Sequence, residues 1–230
     1  MNSLDSKIVI ITGAKGGLGT YVTEAFLAAG AKVVGVSRSI QTSDFAHPNF
    51  MALPAELSTS DAARQVANQA VARYGRIDSL VHVLGGFAGG KSVADTDDAM
   101  FEKMLDLNYR AAYNAVRAVL PQMMAQGKGS VLAVASRQAV EPGAMLSAYS
   151  ASKAALNALI RCVALENKQL SANTVLPGTM DTPANRAADP KADFSQWVQP
   201  AQVAALLVHL ASDAGSQITG AAIPIYGGQV

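Results

Sequence analysis

A chain of 230 residues, half of them apolar, can bury one large core, and 18 Lys and Arg against 17 Asp and Glu leave a formal charge of +1 with no run of like charges. That balance gives no reason to expect a nucleic acid or an anionic membrane surface as partner, and a single cysteine, Cys162, excludes an internal disulfide and a cysteine metal cage. No apolar run approaches the roughly 18 residues that span a bilayer, and MNSLDSKIVIITG carries no charged-then-apolar leader, so one soluble, cytoplasmic domain over 1–230 without a metal is expected.

Short β-branched runs then alternate with helical patterns. KIVIITG (7–13) reads as a strand and ends in TGAKGGLG, which places Gly13, Gly17 and Gly19 at a strand-to-helix turn. Glycine there lets a phosphate approach the backbone, and the helix N-terminus offers amide donors and a positive dipole end. The cluster follows a strand and opens the period Leu18, Tyr21, Val22, Ala25, Phe26, Ala29, so a dinucleotide is the expected ligand; a plain tight turn is the other reading.

AKVVGVS (31–37) reads as the second strand. An acidic residue at its end would grip a ribose 2′-hydroxyl, whereas a basic one accommodates a 2′-phosphate. Here Ser37 is followed by Arg38, with Lys15 in the glycine loop as a second cation, which favours NADP(H) over NAD(H) unless both are ordinary exposed cations. FMALP (50–54), IDSLVHVLG (77–85), GSVLAVAS (129–136) and ANTVLPG (172–178) continue the strands. Helical periods run from Ala63 to Tyr74 and from Ala112 to Met123. Strand, helix, strand units in this order give a doubly wound parallel α/β sheet.

His82, at the end of a buried strand, reads as a hydrogen-bonded core residue rather than a base. In YSASK, Tyr149 and Lys153 share one helical face, as a surface pair or as an acid and its tuner. A free tyrosine, with a pKa of about 10, is a poor proton donor at neutral pH, and a nearby ammonium would lower it. The following AALNALIRCVALENKQL is rich in Ala and Leu on more than one side, which suggests packing on the sheet and on a second copy; Cys162 lies on its apolar face and reads as buried filler. From Pro177 to Pro200 the chain has four prolines and no clear period, which suggests a loop-rich flap at about 179–199.

TGAKGGLG, Asn108 in DLNYR, Ser136 thirteen positions before Tyr149, YSASK and PGTMDT together resemble the short-chain dehydrogenase/reductase family over nearly the whole chain. The resemblance implies a single Rossmann-type domain with a seven-stranded parallel sheet, a dimer or tetramer, and a small carbonyl or alcohol substrate. It makes Tyr149 the acid/base, Lys153 its activator and a ribose ligand, Ser136 the hydroxyl that orients the carbonyl, and Asn108 a support for a water-linked proton path. Gly13, Lys15, Gly17, Leu18, Gly19, Ser37 and Arg38 would hold the phosphates and ribose. Glu56 and Leu57 would lie by the adenine, and Gly85, Gly86, Pro177, Gly178, Thr179 and Thr182 would lie along the cofactor toward the nicotinamide.

HVLGG stands where the family usually has two asparagines, although Gly85 and Gly86 still leave the backbone open to a cofactor. GGFAGG and DTPANRAADPKADFSQW look like segments of dihydropteridine reductases, which would bring Phe87, Phe194 and Trp197 to the substrate; a packed aromatic pair is the alternative for the last two. Dihydropteridine reductases carry an acidic residue after the second strand and lack the serine, whereas this chain has Ser37, Arg38 and Ser136. The expected activity is therefore NADPH-dependent carbonyl reduction or the reverse. Reduction of a quinonoid dihydropterin is the runner-up, and a non-catalytic NADP(H) sensor is a third reading.

Overall fold

The computed structural model describes residues 3–228. Seven parallel strands form one sheet in the order β3-β2-β1-β4-β5-β6-β7. They are β1 (Ile8–Thr12), β2 (Lys32–Ser37), β3 (Phe50–Pro54), β4 (Ser79–His82), β5 (Gly129–Val134), β6 (Leu170–Pro177) and β7 (Ala222–Ile225). The helices are α1 (Gly17–Ala28), α2 (Ser60–Tyr74), α3 (Asp98–Leu105), α4 (Ala111–Gln126), α5 (Ser147–Glu166), α6 (Pro183–Ala188) and α7 (Pro200–Ala211). None of the described helices is long and apolar enough to cross a membrane.

Alternate strand residues feed two cores. Ile10, Leu80 and Val131 pack under α2, α4 and α5, while Val9, Ile11, Val81 and Leu132 pack under α1 and α7. Side chains such as Ile10, Leu80 and Phe26 are fully buried, each contributing about 1.5–3 kcal/mol. Strands covered on both faces explain the unbroken apolar runs. The chain order reverses between β1 and β4, and the crevice at the carboxyl ends of these two strands is where such sheets bind ligands.

The structure adds and corrects elements. β7 has no clear signature of its own, because AIPI is a four-residue edge strand holding Pro224, which only an edge tolerates. α3 and α7 are two further helices beyond those the sequence periods mark. The segment from Pro177 to Pro200 is not all loop: Thr182 caps α6 by accepting from the Asn185 amide, and a 3₁₀ turn follows at Phe194–Gln196. Cys162 is exposed, not buried, because α5 turns Ile160 and Val163 inward and leaves Cys162 on its outer side. His82 is fully buried, with its Nδ1 2.8 Å from the Thr12 hydroxyl, and burial pushes its pKa down to about 3.

Candidate active site

A cavity of about 1200 Å³ runs along the carboxyl ends of the strands, from the tips of β2 and β3 past the glycine loop to the N-terminus of α5. At the glycine loop, Gly13 adopts φ +72° and a Cβ there would come within 2.8 Å of the Leu84 backbone, while a Cβ on Gly19 would run into the Gly13 carbonyl. Gly17 differs, since a Cβ there would meet no protein atom within 4 Å although the residue lines the cavity. α1 begins at Gly17 with no side-chain cap and no acidic residue in its first turn, so its positive end faces the cavity uncompensated. The cradle is open to an anion in the way a dinucleotide pyrophosphate requires.

Ser37 and Arg38 from the end of β2, with Glu56 and Leu57 after β3, line the far end of the cavity. Among the described residues nothing hydrogen-bonds or ion-pairs Arg38. Lys15, the other expected cation, is already engaged: its Nζ lies 2.8 Å from Asp44 Oδ1 and donates to the Ser39 carbonyl at 3.4 Å.

At the opposite end Ser136, Tyr149 and Lys153 meet. β5 carries Ser136 to the cavity just past its end, and one face of α5 presents Tyr149 and Lys153. Lys153 is buried and donates to the Val134 carbonyl at 3.0 Å, and burial pulls its pKa down to about 8. The expected lowering of the phenol by Lys153 is corrected here. Burial pushes the Tyr149 pKa up, and only the neighbouring Ser136 hydroxyl opposes this. One donor of the ammonium is held by a carbonyl, and the apolar surroundings decide the phenol's titration in the protein alone.

Asn108 does not line the cavity. It sits in a π-helical turn, Asp106–Arg110, and its side chain is fully buried. Its Oδ1 accepts from the Gly86 amide at 2.9 Å, and its Nδ2 donates to the Gly86 carbonyl and to Ser152 Oγ, both at 3.0 Å. Gly85 is required beside it, because a Cβ there would come within 2.7 Å of Asn108 Oδ1 and 3.1 Å of Lys153 Nζ. Asn108 is thus a positioning residue that joins the loop after β4 to α5.

That loop also carries Phe87. The Gly90 amide donates to the Met145 carbonyl at 2.9 Å, and the Phe87 ring stands edge-on to Tyr149 with centroids 5.0 Å apart, 68% exposed. Phe194 and Trp197 do not line the cavity. They pack on each other at 4.8 Å, with the Arg186 guanidinium over Phe194. Thr182 also lies off the cavity, its hydroxyl used as the α6 cap, whereas Gly85, Gly86, Pro177, Gly178 and Thr179 line it.

The sequence reading missed the wall beyond Ser136. Arg137, Gln138, Glu141, Leu146, Met180 and Asn185 line it. Arg137 donates to Glu141 at 2.6 Å and stacks on Tyr226. Only position in the chain, just after Ser136 and just after PG, marked these residues, and position alone does not say which side chains turn inward.

A family model described as short chain dehydrogenase matches residues 7–193. The short-chain dehydrogenase/reductase cdmF of Talaromyces verruculosus is 30% identical, covering 98% of this chain and 97% of its own. A rhamnolipids biosynthesis 3-oxoacyl-[acyl-carrier-protein] reductase of Pseudomonas aeruginosa is also 30% identical over the same shares. Among solved structures, a 3-ketoacyl-(acyl-carrier-protein) reductase from Brucella melitensis complexed with NADH superposes with a TM-score of 0.88 at 25% identity over 99% of both chains.

Proposed function

The chain belongs to the short-chain dehydrogenase/reductase family, and on that footing we propose that it is an NADP(H)-dependent reductase, or the reverse dehydrogenase, of a small carbonyl or alcohol substrate. The observation that carries the reading is one cavity with Ser136, Tyr149 and Lys153 at one end and an unengaged Arg38 at the other. The nicotinamide, when bound, supplies or accepts the hydride. Tyr149 donates the proton to the substrate oxygen from its phenol, and the Ser136 hydroxyl donates a hydrogen bond to the same oxygen as charge develops there. Lys153 Nζ, fixed at the Val134 carbonyl, retains donors for a ribose hydroxyl and places a positive charge beside the phenolate left after transfer. Asn108 supports this arrangement by holding Gly86 and Ser152, and any water-linked path that refills the phenol depends on their positions. Thr179, from the chain after β6, completes the nicotinamide end.

The test follows NADPH oxidation by absorbance across ketones, aldehydes, quinones and a quinonoid dihydropterin. Turnover of a ketone or aldehyde is the expected result, and tight NADPH binding with no turnover of any of them would favour a sensor. Dihydropterin reduction is the second reading. It is supported by the exposed Phe87 ring standing edge-on to Tyr149, which offers an aromatic surface to a flat ring.

Arg38→Asp should weaken NADPH binding by about 10- to 100-fold, the worth of a charge-assisted contact, and spare NADH. Equal binding of NADPH and NADH that the substitution leaves unchanged would overturn the NADP(H) assignment.

A homo-oligomer is part of the same proposal. Ala154, Ala158, Cys162 and Leu165 make an exposed small-residue and apolar stripe on α5, and Tyr113 and Met124 are exposed on the adjacent α4. Small side chains let two such helices approach a second copy closely. Sedimentation should give a dimer or tetramer, and Leu165→Glu should shift it toward monomer; a monomeric native protein at micromolar concentration would refute this.

A further inference from the structure

We propose that Asp44 sets how strongly the cavity discriminates between cofactors with and without a 2′-phosphate, by occupying Lys15. The inference rests on the reading that the end of β2 receives that phosphate. Two cations, Lys15 and Arg38, line this end of the cavity, and they differ in state. Arg38 has no partner among the described residues, whereas Lys15 Nζ is 2.8 Å from Asp44 Oδ1.

Asp44 is not a passing surface contact. It ends the 3₁₀ turn Thr42–Asp44, its other carboxylate oxygen accepts from the Gln41 amide at 2.8 Å, and its side chain is only 21% exposed against 42% for Lys15. The Lys15 ammonium also holds the Asp44 carboxyl below its ordinary pKa, so the carboxylate is charged at any working pH. It does not itself line the cavity but stands behind Lys15 as a fixed counter-ion.

The usual discriminating acid sits directly at the end of the second strand. Here that position is Ser37 followed by Arg38, and the carboxylate arrives six residues later, returned to the glycine loop by the turn. The consequence is electrostatic. With Asp44 ionised, the Lys15 and Arg38 pair presents one net positive charge rather than two to an incoming phosphate dianion, beside a Glu56 carboxylate that is present in either case. The ammonium has three donors and can share them, yet the carboxylate charge persists 2.8 Å from it. Relieving one such repulsion across a partly wet gap changes affinity by about three- to tenfold, less at high salt. A cofactor ending in a 2′-hydroxyl gains nothing from that change.

The experiment titrates the full-chain protein with NADPH and with NADH by nicotinamide fluorescence, for wild type, Asp44→Asn, Asp44→Ser, Lys15→Met, Lys15→Met/Asp44→Asn and Arg38→Ala. Asn and Ser both keep an acceptor for the Gln41 amide, so the turn is retained, and thermal melting checks this. Asp44→Asn and Asp44→Ser should tighten NADPH about three- to tenfold, leave NADH unchanged, and do so less in the Lys15→Met background. A preference for NADPH over NADH that neither Asp44 variant raises, while Arg38→Ala lowers it, overturns the role of Asp44 and leaves the 2′-phosphate reading standing. A preference that Arg38→Ala also fails to move overturns that reading, and the role of Asp44 with it.

Discussion

Tyr149→Phe should lower kcat by about 10²- to 10⁴-fold, the range over which a positioned proton donor accelerates a transfer, while leaving cofactor affinity nearly intact. The substitution removes one oxygen. The ring remains half-buried, its edge-on contact with Phe87 needs no hydroxyl, and no backbone group depends on the phenol, so the melting temperature should hold. What disappears is a phenol that lines the cavity, that burial keeps protonated at neutral pH, and that has the Ser136 hydroxyl beside it. Steady-state rates with the best substrate and a fluorescence titration of NADPH separate the two effects. A Phe variant that still turns over at the native rate would remove Tyr149 from the mechanism and leave Ser136 as the remaining hydroxyl donor.

Lys153→Met should behave differently, weakening both turnover and cofactor binding without loss of stability. Burial brings the Lys153 pKa down to about 8 from an ordinary 10.5. The sign follows directly: the unfolded chain binds this proton more tightly than the folded one, so native stability rises with pH between those two values and the protonated lysine is a burden below them. At neutral pH that burden is on the order of 3 kcal/mol, at about 1.4 kcal/mol per unit, offset in part by the bond to the Val134 carbonyl. Methionine fills a similar volume without a charge. The variant should therefore melt at the native temperature or above it, and the native protein's gain in stability from pH 7 to 10 should shrink. A destabilised variant with normal kinetics would make Lys153 a structural residue and sink the assigned role. Cofactor affinity equal to wild type would count against its dual task.

Much of the fold is legible because near neighbours in sequence create it. Six of the seven strands are apolar runs between helical periods, and TGAKGGLG couples a strand end to a helix start within eight residues. The seventh strand is invisible to that logic: Ile223 and Ile225 alternate with Ala222 and Pro224 at an edge, and their pairing with Thr174 to Pro177 comes from far along the chain. Phe194 and Trp197 show the limit at the site. As aromatic residues in a loop they invite a substrate, yet the Arg186 guanidinium, itself tied to Asp181, holds them together away from the cavity.

The sequence by itself determined the glycine-rich strand-to-helix turn, the pairing of Tyr149 with Lys153 on one face of α5, and Ser136 at a strand end, since helix and strand periods fix such relations over a few residues. Only the tertiary structure decided the states of these groups. It buried Lys153 against Val134, raised the phenol's pKa instead of lowering it, made Asn108 a brace between Gly86 and Ser152, and brought Asp44 back to Lys15. Charge and protonation depend on what surrounds a side chain in three dimensions, and packing between distant segments sets those surroundings.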